Sequence, residues 1–175
     1  YGIYLAAESF DAQEWKKLAD RCHEVGVRCY LMMPRIFRKE AEQYFRKQME
    51  LLTSAGFDAL GIGSMEEPGF LREAGIELPM YFDQGMYSWN HLAGAAMERY
   101  GADRLTIPVE LNEREIRDSG VQGEMIVYGY LPMMISAQCI RKTTLGWSGK
   151  PEIMWLKDRK DMRFPVVNQC RFCYN

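Results

Sequence analysis

Residues 21–34 read RCHEVGVRCYLMMP. A polar, helix-forming stretch stops at Gly26, and an apolar run follows at once, Cys29-Tyr30-Leu31-Met32-Met33, closed by Pro34. Glycine suits the left-handed residue through which a helix exits. An unbroken apolar run, rather than an alternating one, is how a buried parallel strand reads. The unit recurs in LTSAGFDALGIGS (52–64), LREAGIELPMYFD (71–83), MERYGADRLTIPVE (97–110) and DSGVQGEMIVYGY (118–130). Strands are predicted near 2–6, 27–32, 58–62, 79–83, 104–109 and 124–130.

The segments between them have helical periodicity. In SFDAQEWKKLADRCHEVG (9–26), Trp15, Leu18 and Cys22 share a face, and Asp11 with Glu14 makes a capping box. RKEAEQYFRKQMELLTSAG (38–56) reads as one longer helix with Tyr44, Phe45, Met49 and Leu52 inward. SWNHLAGAAMERYG (88–101) turns Leu92, Ala95, Ala96 and Tyr100 inward. Regular strand–helix alternation means a parallel α/β fold with right-handed crossovers. No G-x-G-x-x-G follows the first strand, so a dinucleotide-binding sheet has no support. Six strand units fall short of a closed eight-stranded barrel. The prediction is a partial or irregular TIM-barrel-like domain over residues 1–138. Residues 139–175 then form a tail of loop, short hairpin and cysteine-bearing end. The chain opens directly on a strand without Met, which reads as a piece of a longer protein.

Composition is that of an ordinary globular protein, 47% hydrophobic and 26% charged. The longest mostly apolar run, MIVYGYLPMMISA (125–137), is too short to span a bilayer, so no membrane role is expected. No secretory leader is recognisable. Five cysteines in such a chain do not make a disulfide framework, and a reducing cytoplasm fits best. Charge is unevenly placed. Residues 139–175 hold eight Lys/Arg against three Asp/Glu, whereas the rest hold 14 against 21. The tail can face an anion such as RNA, or simply be solvated; the body cannot attract one.

Parallel α/β folds work at the carboxyl ends of their strands. Those ends carry Glu8, then Arg35, then Ser64, Glu66 and Glu67, then Asp83, Gln84, Tyr87 and Asn90, then Glu110 and Asn112, then Tyr128. Asp83 and Glu110 could pair for acid–base work, with Arg35 neutralising one of them or holding a phosphate. Arg35, Asp83 and Glu110 are expected to converge on one concave end of the sheet, and Tyr128, at the end of the sixth strand, is a further catalytic candidate. Such residues also cap helices, and Asn112 before EREI is a good N-cap. Only His23 and His91 are available, which counts against a His-dependent nucleophile. Cys22 and Cys29 read as buried thiols. Cys170 and Cys173 form C-x-x-C, and Cys139 lies upstream. The three could be a metal site, a redox pair with a bystander, or no site at all. Zinc and iron–sulfur clusters normally take four protein ligands.

The stretch EMIVYGYLPMMISAQC (124–139) resembles the E-x-F-x-x-G strand and following cysteines of the U32 peptidase family, also called collagenase-like proteases. IPVELNEREI (107–116) and LKDRKDMRFPVVNQCRFCYN (156–175) look similar to the second half of its long members. The resemblance implies a barrel-like α/β core. It also implies a [4Fe–4S] cluster held by four cysteines in several relatives. Those relatives hydroxylate RNA bases or the ubiquinone ring by prephenate-dependent or oxygen-independent routes, and the long members resemble the enzyme that makes 5-hydroxycytidine in ribosomal RNA. Carried over, the ligands are Cys139, Cys170 and Cys173. Pro132 and Trp147 stand where further cysteines are expected. The expectation is therefore a domain supporting RNA base hydroxylation, with an iron–sulfur site impaired or lost and no intact cluster in this chain alone. Cys139 should still lie near Cys170 and Cys173, these two being free or paired by air. A peptidase, and a non-catalytic domain that dimerises or presents RNA, are the alternatives. Expected partners are RNA, the remaining domains of the longer protein, and a second copy of the chain.

Overall fold

The computed structural model describes all 175 residues. Five strands form one parallel sheet: β1 (Gly2–Ala6), β2 (Arg28–Met32), β3 (Ala59–Ile62), β4 (Met80–Phe82) and β5 (Arg104–Leu105). Their order is 1-2-3-4-5, so each strand pairs with the next in sequence. A doubly wound sheet reverses its order partway; this one does not. Right-handed crossovers without reversal keep the helices on one face, as in a barrel wall. The wall stays open, because β1 and β5 are not paired.

Strand register sorts the side chains. Leu31, Leu60, Ile62, Phe82 and Leu105 share the helix-facing side and are buried. Under them lie α1 (Ala12–Glu24), α2 (Lys39–Lys47) and α3 (Met49–Ser54). Trp15 is fully buried, 5.9 Å from Phe45 and 6.0 Å from Phe57 between ring centres. The Asp11–Glu14 capping box forms. The single helix expected over 38–56 is divided at Gln48, whose N–H is shared between the Tyr44 and Phe45 carbonyls at 3.1 Å each. That bifurcation tightens the turn and ends the α ladder.

The remaining helices are α4 (Glu66–Glu73), α5 (His91–Tyr100) and α6 (Glu113–Ser119), the last with the expected Asn112 cap. Leu92 is 69% exposed rather than inward, and Gly94 holds the buried position of α5. A side chain there would press on Val121 at 3.2 Å, so the helix sits too close for a larger residue.

The other face of the sheet is lined by Tyr4, Tyr30, Tyr81 and Arg104, level with the small Ala59 and Gly61. The tyrosine rings follow one another at 4.7 and 5.1 Å, and the Arg104 guanidinium lies 4.5 Å above Tyr81. Gly61 leaves room for the Met32 thioether, which a Cβ there would push aside. Curvature brings the two ends of this row together. The Tyr4 hydroxyl donates to Glu124 Oε2 at 2.7 Å, and Glu124 Oε1 takes Arg104 at 2.6 Å.

The sixth strand expected over 124–130 does not form. One parallel bridge, Thr106 to Glu124, continues the sheet beyond β5. From Met125 to Tyr130 the chain joins no ladder, and Val127, Tyr128 and Tyr130 are 81%, 96% and 105% exposed. An apolar strand needs a layer to bury against, and none covers this one here.

The tail contains α7 (Ile140–Thr144) and an antiparallel hairpin of β6 (Ile153–Lys157) and β7 (Arg163–Val167). Its end returns to the body. Phe172 is 1% exposed, with ring centres 5.3 Å from Tyr44 and 6.0 Å from Phe45. Arg171 donates to the Phe10 carbonyl at 2.7 Å and pairs with Asp11. The last residues thus dock at the carboxyl end of β1.

Candidate functional site

The carboxyl ends of β1 to β4 gather a polar cluster. Arg35 follows β2, and its Nη2 lies 2.9 Å from Asp83 Oδ2, which follows β4. The pair is little exposed, 29% for the Arg35 side chain and 10% for Asp83. Oδ1 of Asp83 accepts the Gln84 N–H at 2.7 Å, which fixes the carboxylate at the start of a short 3-10 turn. The guanidinium lies along the backbone of this turn, 3.7 Å from where a Cβ on Gly85 would stand, an ordinary contact distance.

Glu8, at the end of β1, completes the group. Burial pushes its carboxyl pKa up; the Tyr174 hydrogen bond and the Arg35 charge oppose this without cancelling it. The Tyr174 hydroxyl donates to Glu8 Oε1. The Tyr174 pKa is itself raised, by burial first and then by the neighbouring carboxylate. Beneath them Glu67 is fully buried at the start of α4. Its Oε2 accepts the N–H groups of Gly63 at 2.8 Å and Ser64 at 3.3 Å. Burial holds the Glu67 pKa well above its ordinary value, against the two backbone hydrogen bonds that lower it. Glu67 Oε1, Ser64 Oγ and Gln84 Oε1 are buried without a hydrogen-bond partner. Unsatisfied polar atoms are costly in a fold and concentrate where a ligand or chemistry completes them.

Of the four residues the sequence nominated for catalysis, Arg35 and Asp83 are together. Glu110 is exposed beyond β5, and the ion pair of Arg35 is with Asp83 alone. Tyr128 is 96% exposed and stands outside the cluster. Sequence reading missed Tyr174 and undervalued Glu8 and Glu67. Glu8 and Glu67 were visible as strand-end acids; nothing local revealed that residue 174 returns to residue 8.

The thiols lie on the same docked end. Gln169 and Tyr174 form an antiparallel bridge that closes the turn carrying Cys170 and Cys173. Asn175 exchanges backbone hydrogen bonds with Ser136 at 2.7 and 2.9 Å, and its side chain accepts the Ile140 N–H at 3.3 Å. These bonds bring Cys139 to the C-x-x-C. The Cys170 pKa is raised, by burial first and then by the charges of Cys139 and Cys173. All are free thiols. Cys139 Sγ accepts the Lys142 N–H at 3.4 Å and caps α7.

No three His, Cys, Asp or Glu side chains are arranged to hold one metal ion. A single zinc requires sulfurs at ~2.3 Å from one point. A four-cysteine cluster is not matched either, since three thiols gather and Trp147 is 75% exposed. An indole N–H is a donor only and cannot replace a thiolate. The residues present therefore do not fit a four-cysteine group.

No helix is long and apolar enough to cross a membrane. No curated protein matches the chain. A solved structure described as the U32 peptidase Mk0906 is similar in fold, with a TM-score of 0.54 and 18% sequence identity. The match covers 71% of this chain and 58% of that one, so the chain spans little more than half of that relative's length. The family model for Peptidase family U32 matches residues 1–174, and the chain belongs to that family.

Proposed function

We propose that the chain is a domain of a larger U32 protein that supports hydroxylation of RNA bases, with an iron–sulfur site reduced to three cysteines. What supports this reading is the Ser136–Asn175 backbone pairing, which brings the Cys139 segment to the C-x-x-C end of the basic tail, beside Tyr174 and its contact with Glu8. No step is assigned to a cluster here, because the ligand set is short of four. The chain's own residues supply other chemistry. Glu8, with raised proton affinity, can hold or release a proton beside the Tyr174 hydroxyl. Arg35 can receive an anionic group and is held in place by Asp83. A cytoplasmic location would keep the thiols reduced. RNA, the remaining domains of the longer protein and a second copy of this chain are the proposed partners.

The test is nucleoside mass spectrometry of RNA from cells lacking the full-length gene. Loss of a hydroxylated pyrimidine, restored by the wild type but not by Glu8→Gln, supports the reading. Unchanged nucleosides overturn it. Peptide hydrolysis is the second reading. It is favoured by two carboxyls beside one arginine in unlike environments, Glu8 raised by burial and Asp83 ion-paired, a division that suits acid and base roles. Cleavage of a collagen-derived peptide by the full-length protein, abolished by Glu8→Gln, would select it.

A further inference from the structure

The β6–β7 hairpin has a face that the fold does not use. Register places Ile153 opposite Val167, Trp155 opposite Pro165 and Lys157 opposite Arg163, all on one side. Ile153, Trp155 and Val167 are 64%, 63% and 47% exposed. The other side is less open: Met154 and Val166 are half-buried, and Leu156 and Phe164 are 45% and 39% exposed. An isolated two-stranded hairpin gains little by itself, so an uncovered tryptophan and two aliphatic residues are not explained by hairpin stability.

Charge on the same element has one sign where it is free. Lys157 and Arg163 are cross-strand neighbours, an arrangement of like charges that costs energy in a sheet. The acids of the hairpin are engaged locally. Asp158 Oδ1 accepts the N–H groups of Lys160 at 2.7 Å and Met162 at 2.9 Å, Asp161 pairs with Lys157 at 2.7 Å, and Glu152 pairs with Arg141 at 2.8 Å. Arg159, Lys160 and Arg163 have no acidic partner in the fold. A flat aromatic face rimmed by unpaired cations is complementary to a base flanked by phosphates. A peptide partner would need acids and would leave the tryptophan face without a stacking plane.

We propose that the outer face of the β6–β7 hairpin binds single-stranded RNA, with Trp155 stacking a base and Arg163, Arg159 and Lys160 holding neighbouring phosphates. This rests on the RNA reading of the domain and adds the surface that holds the strand. It is separate from the Glu8–Arg35 cluster.

The experiment is fluorescence anisotropy of a labelled single-stranded RNA 20-mer of mixed sequence with the full-length protein, across a salt series. Trp155→Ala is expected to weaken binding by roughly tenfold or more. Arg163→Gln is expected to lower the slope of log affinity against log salt by about 0.7, the share of one single-strand phosphate. Arg159→Gln with Lys160→Gln, confined to the turn, guards against a Trp155→Ala hairpin that fails to form, and should lower the slope by twice that. Wild-type binding that all these variants retain overturns the hairpin proposal and leaves the RNA reading standing. Absence of RNA binding by the wild type at low salt overturns both.

Discussion

The molecule contains two Tyr–Glu–Arg arrangements with opposite characters. On the inner face of the sheet, Tyr4 and Arg104 converge on Glu124, whose side chain is 36% exposed. At the carboxyl end, Tyr174 and Arg35 approach Glu8, with Asp83 and buried Glu67 close by. The first arrangement satisfies its polar atoms and ties the first strand to the chain beyond the fifth. It is a closure device. The second leaves buried oxygens of Glu67, Ser64 and Gln84 without partners and raises the proton affinity of two carboxyls. The same residue types thus satisfy one another in one place and stay buried with raised proton affinity in the other, and burial separates the two.

The largest expected difference is in stability. Arg35→Met leaves Asp83 buried without its counter-charge, which should cost about 3 kcal/mol. Arg104→Met leaves Glu124 in reach of water and should cost under about 1 kcal/mol. Denaturant midpoints of the two variants measure this directly. Equal losses would erase the distinction between the two arrangements.

Activity should divide them as well. In the full-length protein, Glu8→Gln is expected to lower turnover by about 100-fold with the fold retained, the loss typical of a removed acid–base group. Glu124→Gln should leave turnover within a few-fold. A reversal of this order would move the working site to the inner face.

How much of this the sequence disclosed follows from the range of the forces involved. Strand–helix alternation is local, and four of the five strands lie within about two residues of their expected positions; β5 was read longer than it is. Arg35 and Asp83 lie together as expected because both sit on strands whose carboxyl ends were legible. Glu110 and Tyr128 do not join them, because β5 is two residues long and the sixth strand never forms beyond one bridge. Tyr174 was out of reach. Its contact with Glu8 spans 166 residues and depends on Phe172 filling the space between Tyr44 and Phe45. The Ser136–Asn175 pairing joins the Cys139 segment to the C-x-x-C end across 39 residues, a contact no local pattern announces.

pH sharpens the comparison further. Glu67 has a folded pKa raised above its ordinary value of 4.5, so the folded state holds this proton more tightly than the unfolded chain does. Its contribution to stability is full below about pH 4.5 and is lost as pH rises toward the folded pKa. The wild type should lose up to about 1.4 kcal/mol per pH unit from this group within that window. Glu67→Gln keeps an acceptor for Gly63 and Ser64 and should flatten the slope. Asp58, held by His23 at 2.9 Å and by the Cys29 N–H at 2.8 Å, has a lowered pKa and works in the other direction. Its contribution is present above pH 3.8 and is lost as pH falls through its folded value. Urea midpoints from pH 3 to 8 for the wild type and for Glu67→Gln test both signs. Parallel curves would mean that water reaches Glu67.

The smallest expected effect concerns the two tyrosines. Tyr4→Phe removes one hydrogen bond from a carboxylate that keeps Arg104 and is open to solvent, so stability should change by less than about 0.5 kcal/mol. Tyr174→Phe removes a hydrogen bond from a mostly buried carboxyl and should cost about 1–2 kcal/mol. A difference this small could arise from packing alone, so a second readout is needed. The Tyr174 hydrogen bond favours the charged form of Glu8 and lowers its pKa against the effect of burial. Removing the hydroxyl must raise that pKa further. If Glu8 works as a base in the full-length protein, the acidic limb of its pH–activity profile should move to higher pH in Tyr174→Phe. The same limb should stay in place in Tyr4→Phe. A limb that moves equally in both variants, or in neither, would mean that Glu8 is not the group whose ionisation the activity follows.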